Sequence, residues 1–125
     1  MRPSDFMKYR NWVVIGDVPN NLKYANKILK SLDESGYNVV GVNPRGNNEE
    51  VITSLKQVNY DIDVIDLCIN PIEGLKVVKE AKNLNINKIL IQPGAESSEI
   101  LEYCKNNDII GIEGCALVEL SKIGV

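Results

Sequence analysis

Gly16 ends the apolar run Trp12-Val13-Val14-Ile15, and a helical pattern begins within a few residues. A strand that breaks at glycine and leads into a helix presents bare backbone N–H groups and a helix N-terminus to an anion. In α/β proteins a nucleotide's phosphates usually sit there. The turn reads Gly16-Asp17-Val18-Pro19. Three other stretches share its punctuation: Asn43-Pro44-Arg45, Ile69-Asn70-Pro71 and Gln92-Pro93-Gly94 each follow an apolar run. Proline and glycine stiffen or open the backbone at these points. One such loop alone is an ordinary strand stop. Four at the carboxyl edge of one sheet predict a preformed pocket.

The dinucleotide fingerprint G-x-G-x-x-G is absent, because Gly16 stands without the second and third glycines. An acidic residue that holds a free ribose diol belongs near the end of the second strand. Asn43 stands there instead, with Arg45 two residues on. Arginine at that place suits a phosphorylated ribose. NADP carries a 2′-phosphate and coenzyme A a 3′-phosphate, so the residues leave both open. Lys23, early in the following helix, is a second cation within reach. Each of these two cations taken alone also reads as a solvated surface charge.

Other side chains offer little chemistry. The chain has no histidine, which removes the Ser-His-Asp and Cys-His arrangements and the commonest general base. Its three cysteines, Cys68, Cys104 and Cys115, are an odd count without a CxxC, which argues against a disulfide framework and a zinc site. Cys68 and Cys104 read as core. Cys115, beside Glu113, reads as a packing residue of the last helix or as a thiol activated by that helix's N-terminus against the charge of Glu113. Asp61, Asp63 and Asp66 read as turn and strand-end carboxylates, because alternation puts Asp63 and Asp66 on opposite faces and no histidine joins them. Glu96 and Glu99 suit a helix's first turn.

The elements that must position these loops follow from periodicity. Ser4 to Arg10 makes a short leading helix with Ser4 as N-cap. Trp12–Ile15, Tyr37–Val42, Asp63–Ile69, Lys88–Gln92 and Ile109–Ile112 read as strands. A helix from Asn20 carries the stripe Leu22, Ala25, Ile28, Leu29, Leu32 and ends at Ser35-Gly36, with Gly36 left-handed. Pro71–Leu84 is a helix with Leu75, Val78, Ala81 and Leu84 on one side. Ala95–Asn106 is another, with Ile100, Leu101 and Cys104 inward. Asn43 to Asn48 is a loop. Glu49 to Tyr60 holds a short helix, or a turn and a brief strand. Cys115–Ser121 adds a helical turn or two. Strands that are continuous apolar runs and alternate with helices predict a parallel sheet covered on both faces. The expected fold is α/β: a Rossmann-like, doubly wound parallel sheet of about five strands in a single domain, residues 1–125.

Composition agrees with a globular chain that can build a core: 125 residues, 44% hydrophobic, 25% charged, net charge −3. Without a Lys/Arg stripe, no nucleic-acid partner is expected. No apolar run approaches a membrane span, and the N-terminus lacks a signal peptide's apolar core. The expected place is the cytosol, with no membrane partner.

In order along the chain stand Val14-Ile15-Gly16 with Pro19-Asn20, Lys23-Tyr24-Ala25, Gly36-Tyr37, Val42-Asn43-Pro44, Asp63-Val64-Ile65-Asp66, Pro71, Gln92-Pro93-Gly94-Ala95 and Gly114-Cys115. Together they resemble the small CoA-binding proteins of the YccU-like family, related to the N-terminal domain of the succinyl-CoA synthetase α subunit. The likeness runs from Trp12 to about Leu120, and its VNP and QPGA elements are its most specific parts. It implies binding of coenzyme A, or an acyl-CoA, through the ADP moiety at the C-terminal edge of the sheet. By that resemblance Gly16, Asp17, Val18, Pro19, Lys23 and Tyr24 approach the phosphates. Asn43, Pro44 and Arg45 border the adenosine. Ile69, Asn70, Pro71, Gln92, Pro93 and Gly94 line the far wall toward pantetheine. The synthetase's phosphohistidine chemistry is not implied, because this chain has no histidine, and no catalysis of its own is expected. Asp17 and Val18 replace the family's small residues, and Ile69-Asn70-Pro71 lacks the arginine that many relatives carry. Asp17 is expected to cap the helix after it. The alternatives are an NADP- or other nucleotide-binding enzyme, or a ligand-free interaction module with a decayed nucleotide site. A homodimer or a partner protein is compatible with each.

Overall fold

A computed structural model describes residues 1–46 and 52–123. The five apolar runs form one sheet, all of its strands parallel: β1 (Asn11–Ile15), β2 (Asn38–Val42), β3 (Val64–Leu67), β4 (Lys88–Ile91) and β5 (Ile110–Glu113), in the order β2-β1-β3-β4-β5. The central strands β1, β3 and β4 are buried on both faces, which is why they read as unbroken apolar runs. Period-two alternation splits their side chains between two cores. Val13, Ile15, Ile65, Leu67, Ile89 and Ile91 pack under α3 (Pro71–Asn83) and α4 (Ser98–Asn106). Trp12, Val14, Val64 and Leu90 pack under α1 (Pro3–Phe6), α2 (Tyr24–Glu34) and α5 (Ala116–Lys122). The chain is thus doubly wound and Rossmann-like.

Local chemistry moves several element ends away from the expected places. The α2 helix begins at Tyr24, because residues 20–23 are held in a turn whose Asn20 Oδ1 accepts the Leu22 N–H at 3.0 Å. Leu22 is therefore outside the stripe and 84% exposed, while Ala25, Ile28 and Leu32 are buried. Gly36 is left-handed (φ +89°), and the Tyr37 N–H bonds the Leu32 carbonyl across it at 3.0 Å. In α3, Pro71 occupies the first turn and Asn70 Oδ1 caps the Glu73 N–H at 3.0 Å. Its inward residues are Gly74, Val77, Val78 and Ala81, whereas Leu84 falls beyond the helix and is exposed. Ser97 Oγ caps the Ile100 N–H at 3.1 Å, so α4 starts at Ser98 and Ala95 belongs to the loop before it. Ser4 lies inside α1. The cap there is the Asp5 carboxylate, which accepts the Arg2 N–H at 2.7 Å.

The stretch before β3 contains a 3-10 helix, Leu55–Gln57, capped by Ser54 and tied to α3 where Glu80 accepts the Ser54 hydroxyl at 2.9 Å and the Leu55 N–H at 3.1 Å. The readings at Asn47, Asn48, Glu49, Glu50 and Val51 lie outside the described residues.

Candidate functional site

From β1 the chain passes to β2 on one side, then crosses back to β3 on the other. The sheet's strand order therefore reverses between β1 and β3, where a crevice opens above the carboxyl ends. A cleft of about 340 Å³ lies there. Asp17, Lys23, Tyr24 and Ala25 line it from the β1 loop and the start of α2, and Arg45 from the β2 loop. Cys68, Ile69 and Asn70 line it from the β3 loop, and Pro93, Gly94 and Ala95 from the β4 loop. Gly16 lies beneath. A Cβ at this position would run into the Cys68 carbonyl oxygen and lie 2.9 Å from the Ala25 methyl. Only a bare α-carbon lets β1, β3 and α2 meet so closely.

Among the described residues the cleft carries two cations, Lys23 and Arg45, and one carboxylate, Asp17. Asn43 builds the turn that presents Arg45: its Oδ1 accepts the Arg45 N–H at 3.1 Å, and its carbonyl accepts the Gly46 N–H at 2.9 Å. Lys23 is the N-cap of α2 and offers no side-chain acceptor, so among the described residues no side-chain cap bond closes the first turn of that helix. Tyr24 is 67% exposed, with the Lys27 ammonium 5.2 Å from its ring centroid. Asp17 does not cap α2, which starts too far along the chain. Its Oδ2 accepts from Asn20 Nδ2 at 3.3 Å, within the turn before the helix.

Not every residue assigned to the pocket meets this cleft. Val18 and Pro19 line a separate hollow of about 490 Å³ beside β2 and α2. Val18 is buried against Gly41, where a Cβ would come within 2.6 Å of its Cγ2, and its carbonyl accepts from Asn26 Nδ2 at 2.8 Å. Asn26 is a buried amide on the inner face of α2 and holds the loop's far side. Pro44 lines a third hollow, of about 250 Å³, with Ile15, Val42 and Glu73. Asn43, Pro71 and Gln92 do not line the cleft either.

Gln92 is 4% exposed and turns inward, where its amide Nε2 donates to Asp66 Oδ1. Asp66 departs from the expected strand-end carboxylate. It is 0% exposed in the middle of β3, flanked in register by Val14 and Leu90, and its Oδ2 has no hydrogen-bond partner among the described residues. Burial pushes its carboxyl up to about 7, against the lowering effect of the Gln92 amide. Asp63 has a structural part, with Oδ2 accepting the Asn11 N–H at 3.1 Å. Among the described residues no three His, Cys, Asp or Glu side chains gather as metal ligands.

The cysteines are all free. Burial pushes the Cys68 thiol up to about 11, with further contributions from the charges of Asp66 and Cys115, so it is no thiolate at neutral pH. Burial alone raises Cys104 to about 11. Cys115 is half-buried and stands at the N-cap of α5 without a side-chain cap bond.

Residues 10–121 match the model of a family described as a CoA binding domain. No curated protein matches the chain. Among solved structures, a conserved hypothetical protein from Pyrococcus furiosus is similar at 36% identity, over 89% of this chain and 99% of that one, with a TM-score of 0.79. A hypothetical protein from Pyrococcus horikoshii is similar in fold at 24% identity, over 96% and 87% of the two chains, with a TM-score of 0.85. A Thermus thermophilus protein shares the fold at 22% identity, over 95% and 94%, with a TM-score of 0.76. No helix among the described residues is long and apolar enough to cross a membrane.

Proposed function

We propose that this chain, which belongs to the CoA binding domain family, binds coenzyme A or an acyl-CoA through the ADP moiety in the cleft between β1 and β3, without catalysis of its own. The observation that carries this reading is the meeting of Lys23 and Arg45 on one cleft at the point of strand-order reversal. A pyrophosphate takes the place beside Lys23 and the uncapped start of α2, where helix dipole and side chain act together. The guanidinium of Arg45 takes the 3′-phosphate in a charge-assisted, bidentate contact. Ile69, Asn70, Pro93 and Gly94 pass the pantetheine arm outward.

Two features of the side chains support the reading without catalysis. The chain has no histidine, and burial keeps Cys68, which lines the cleft, a thiol near neutral pH. We further place the protein with the YccU-like members of the family, on its VNP and QPGA elements, and in the cytosol.

Calorimetric titration with coenzyme A, dephospho-coenzyme A, ADP and NADP tests the reading. Coenzyme A is expected to bind more tightly than dephospho-coenzyme A. Equal affinity for these two overturns the part given to Arg45, and no binding of coenzyme A at millimolar concentration overturns the whole. One observation favours a second reading: the Asp17 carboxylate lines the same cleft and repels a pyrophosphate. A ligand-free interaction module, whose nucleotide site is lost, would bind none of the four.

A further inference from the structure

The Asp66 carboxyl is buried in β3 with one oxygen on the Gln92 amide and the other without a partner among the described residues. A lone carboxylate in such a place is unfavourable, because no cation or second donor replaces the water it has lost. A neutral carboxylic acid fits the same place better. Acid and primary amide are complementary: the amide N–H donates to one carboxyl oxygen, and the acid O–H donates to the amide oxygen.

Gln92 also starts the turn that supplies one wall of the cleft. Its N–H donates to the Leu67 carbonyl at 3.0 Å, and its carbonyl accepts the Ala95 N–H at 2.9 Å. That second bond closes the turn that carries Pro93 and Gly94 into the cleft. The side-chain pair and the turn thus share one residue.

We propose that Asp66 is a positioning residue, which as a neutral acid grips the Gln92 amide through both oxygens and, on losing its proton to solvent, releases one of the two bonds and loosens the Gln92–Ala95 wall of the cleft. Its surroundings leave few competing charges. Val14 on β1 and Leu90 on β4 flank it. Phe6 of α1, Ala25, Ile28 and Leu32 of α2, and Ala116 and Leu120 of α5 are among the apolar residues packed on this face. Cys68 follows on the same face of β3, and Cys115 stands at the start of α5. Glu119 of α5 is buried but ion-paired with Lys122 at 3.3 Å. Burial lifts the Asp66 carboxyl to about 7, so the proton is exchanged near neutral pH.

The effect on ligand binding rests on the proposed coenzyme A site, but the coupling does not. The experiment therefore has two arms. In the free protein, the ¹³C carboxyl signal of Asp66 is titrated while the Gln92 side-chain amide and the Ala95 N–H are followed. All three are expected to move with one midpoint near neutrality. A midpoint below about pH 5, close to that of an ordinary carboxyl, or a turn that does not follow the carboxyl, overturns the proposal. In the second arm coenzyme A affinity is compared between wild type and Asp66→Asn. An asparagine pairs with Gln92 amide to amide and mimics the neutral acid. Wild type is expected to lose affinity between about pH 6 and about pH 8 by about fivefold more than the variant, the worth of one net hydrogen bond. The 3′-phosphate of the ligand titrates alike in both proteins and cancels. Equal pH dependence in the two also overturns the proposal. Failure of coenzyme A to bind at every pH overturns the function proposed above, and the first arm then decides the coupling alone. If Asp66→Asn does not fold, the free-protein titration likewise decides it.

Discussion

The carbonyl oxygen of Cys68 stands too close to Gly16 for a Cβ to fit between them. The end of β1 and the end of β3 are therefore locked together through a missing side chain, and the floor of the cleft is this contact. Gly16→Ala forces both strands apart and strikes the Ala25 methyl as well. Overpacking of this kind costs about 1–3 kcal/mol, and backbone cannot yield as a flexible side chain does. Urea unfolding is expected to show a lower midpoint at unchanged slope, and coenzyme A binding is expected to fall with it.

Arg45 stands at the end of an Asx-type turn set by Asn43. Arg45→Ala is expected to weaken coenzyme A by about tenfold or more, the value of a charge-assisted contact, and to leave dephospho-coenzyme A nearly unchanged. Lys23→Ala is expected to weaken both ligands alike, because the pyrophosphate is common to them. Calorimetry on the four protein–ligand pairs separates the two roles.

Among the described residues Asp17 bonds only Asn20 of its own turn, and it caps no helix. Asp17→Ala is thus expected to change unfolding stability by no more than ~0.5 kcal/mol, as for most surface sites. Coenzyme A binding is expected to tighten by a few fold, because one like charge leaves the neighbourhood of the phosphates. A marked fall in the denaturation midpoint would give Asp17 a structural role that the hydrogen bonds do not.

These residues also mark how far the sequence could be read. The strands were legible because β1, β3 and β4 are buried on both faces and leave continuous apolar runs. The cleft was legible as a set of strand ends, since parallel strands bring their carboxyl ends to one edge. Which side chains enter it was not. After β1 the loop sends Asp17 to the cleft and Val18 to the neighbouring hollow. Gln92 keeps the alternation of β4 and turns into the core with Leu90. Asn20 delayed α2 by a side-chain bond that no apolar pattern records. Asp66 carried the one unused signal: at period two it shares a face with Val64 and Cys68, and so had to be buried.

That burial has a consequence for stability at different pH. Asp66 titrates at about 7 in the folded protein, against an ordinary value of 3.8. A raised carboxyl binds its proton more tightly in the folded state than in the unfolded one, so the contribution is fully present below the ordinary value. It is lost as pH rises toward 7, and stability flattens above. Because the chain has no histidine, few other groups titrate between about pH 5 and about pH 7.5. Wild-type Tm is therefore expected to fall across this window. Asp66→Asn keeps the pairing with Gln92 and cannot ionise, so its Tm is expected to stay nearly level, and near pH 8 it is expected to exceed wild type by a few kcal/mol of unfolding free energy. Asp66→Ala, by contrast, strands the Gln92 amide and opens a hole, and is expected to be less stable than Asp66→Asn at every pH. Differential scanning calorimetry of the three proteins at matched ionic strength separates lost pairing from lost charge. A wild-type Tm that rises from about pH 5 to about pH 7 would mean that the carboxylate, not the acid, is the form the fold prefers.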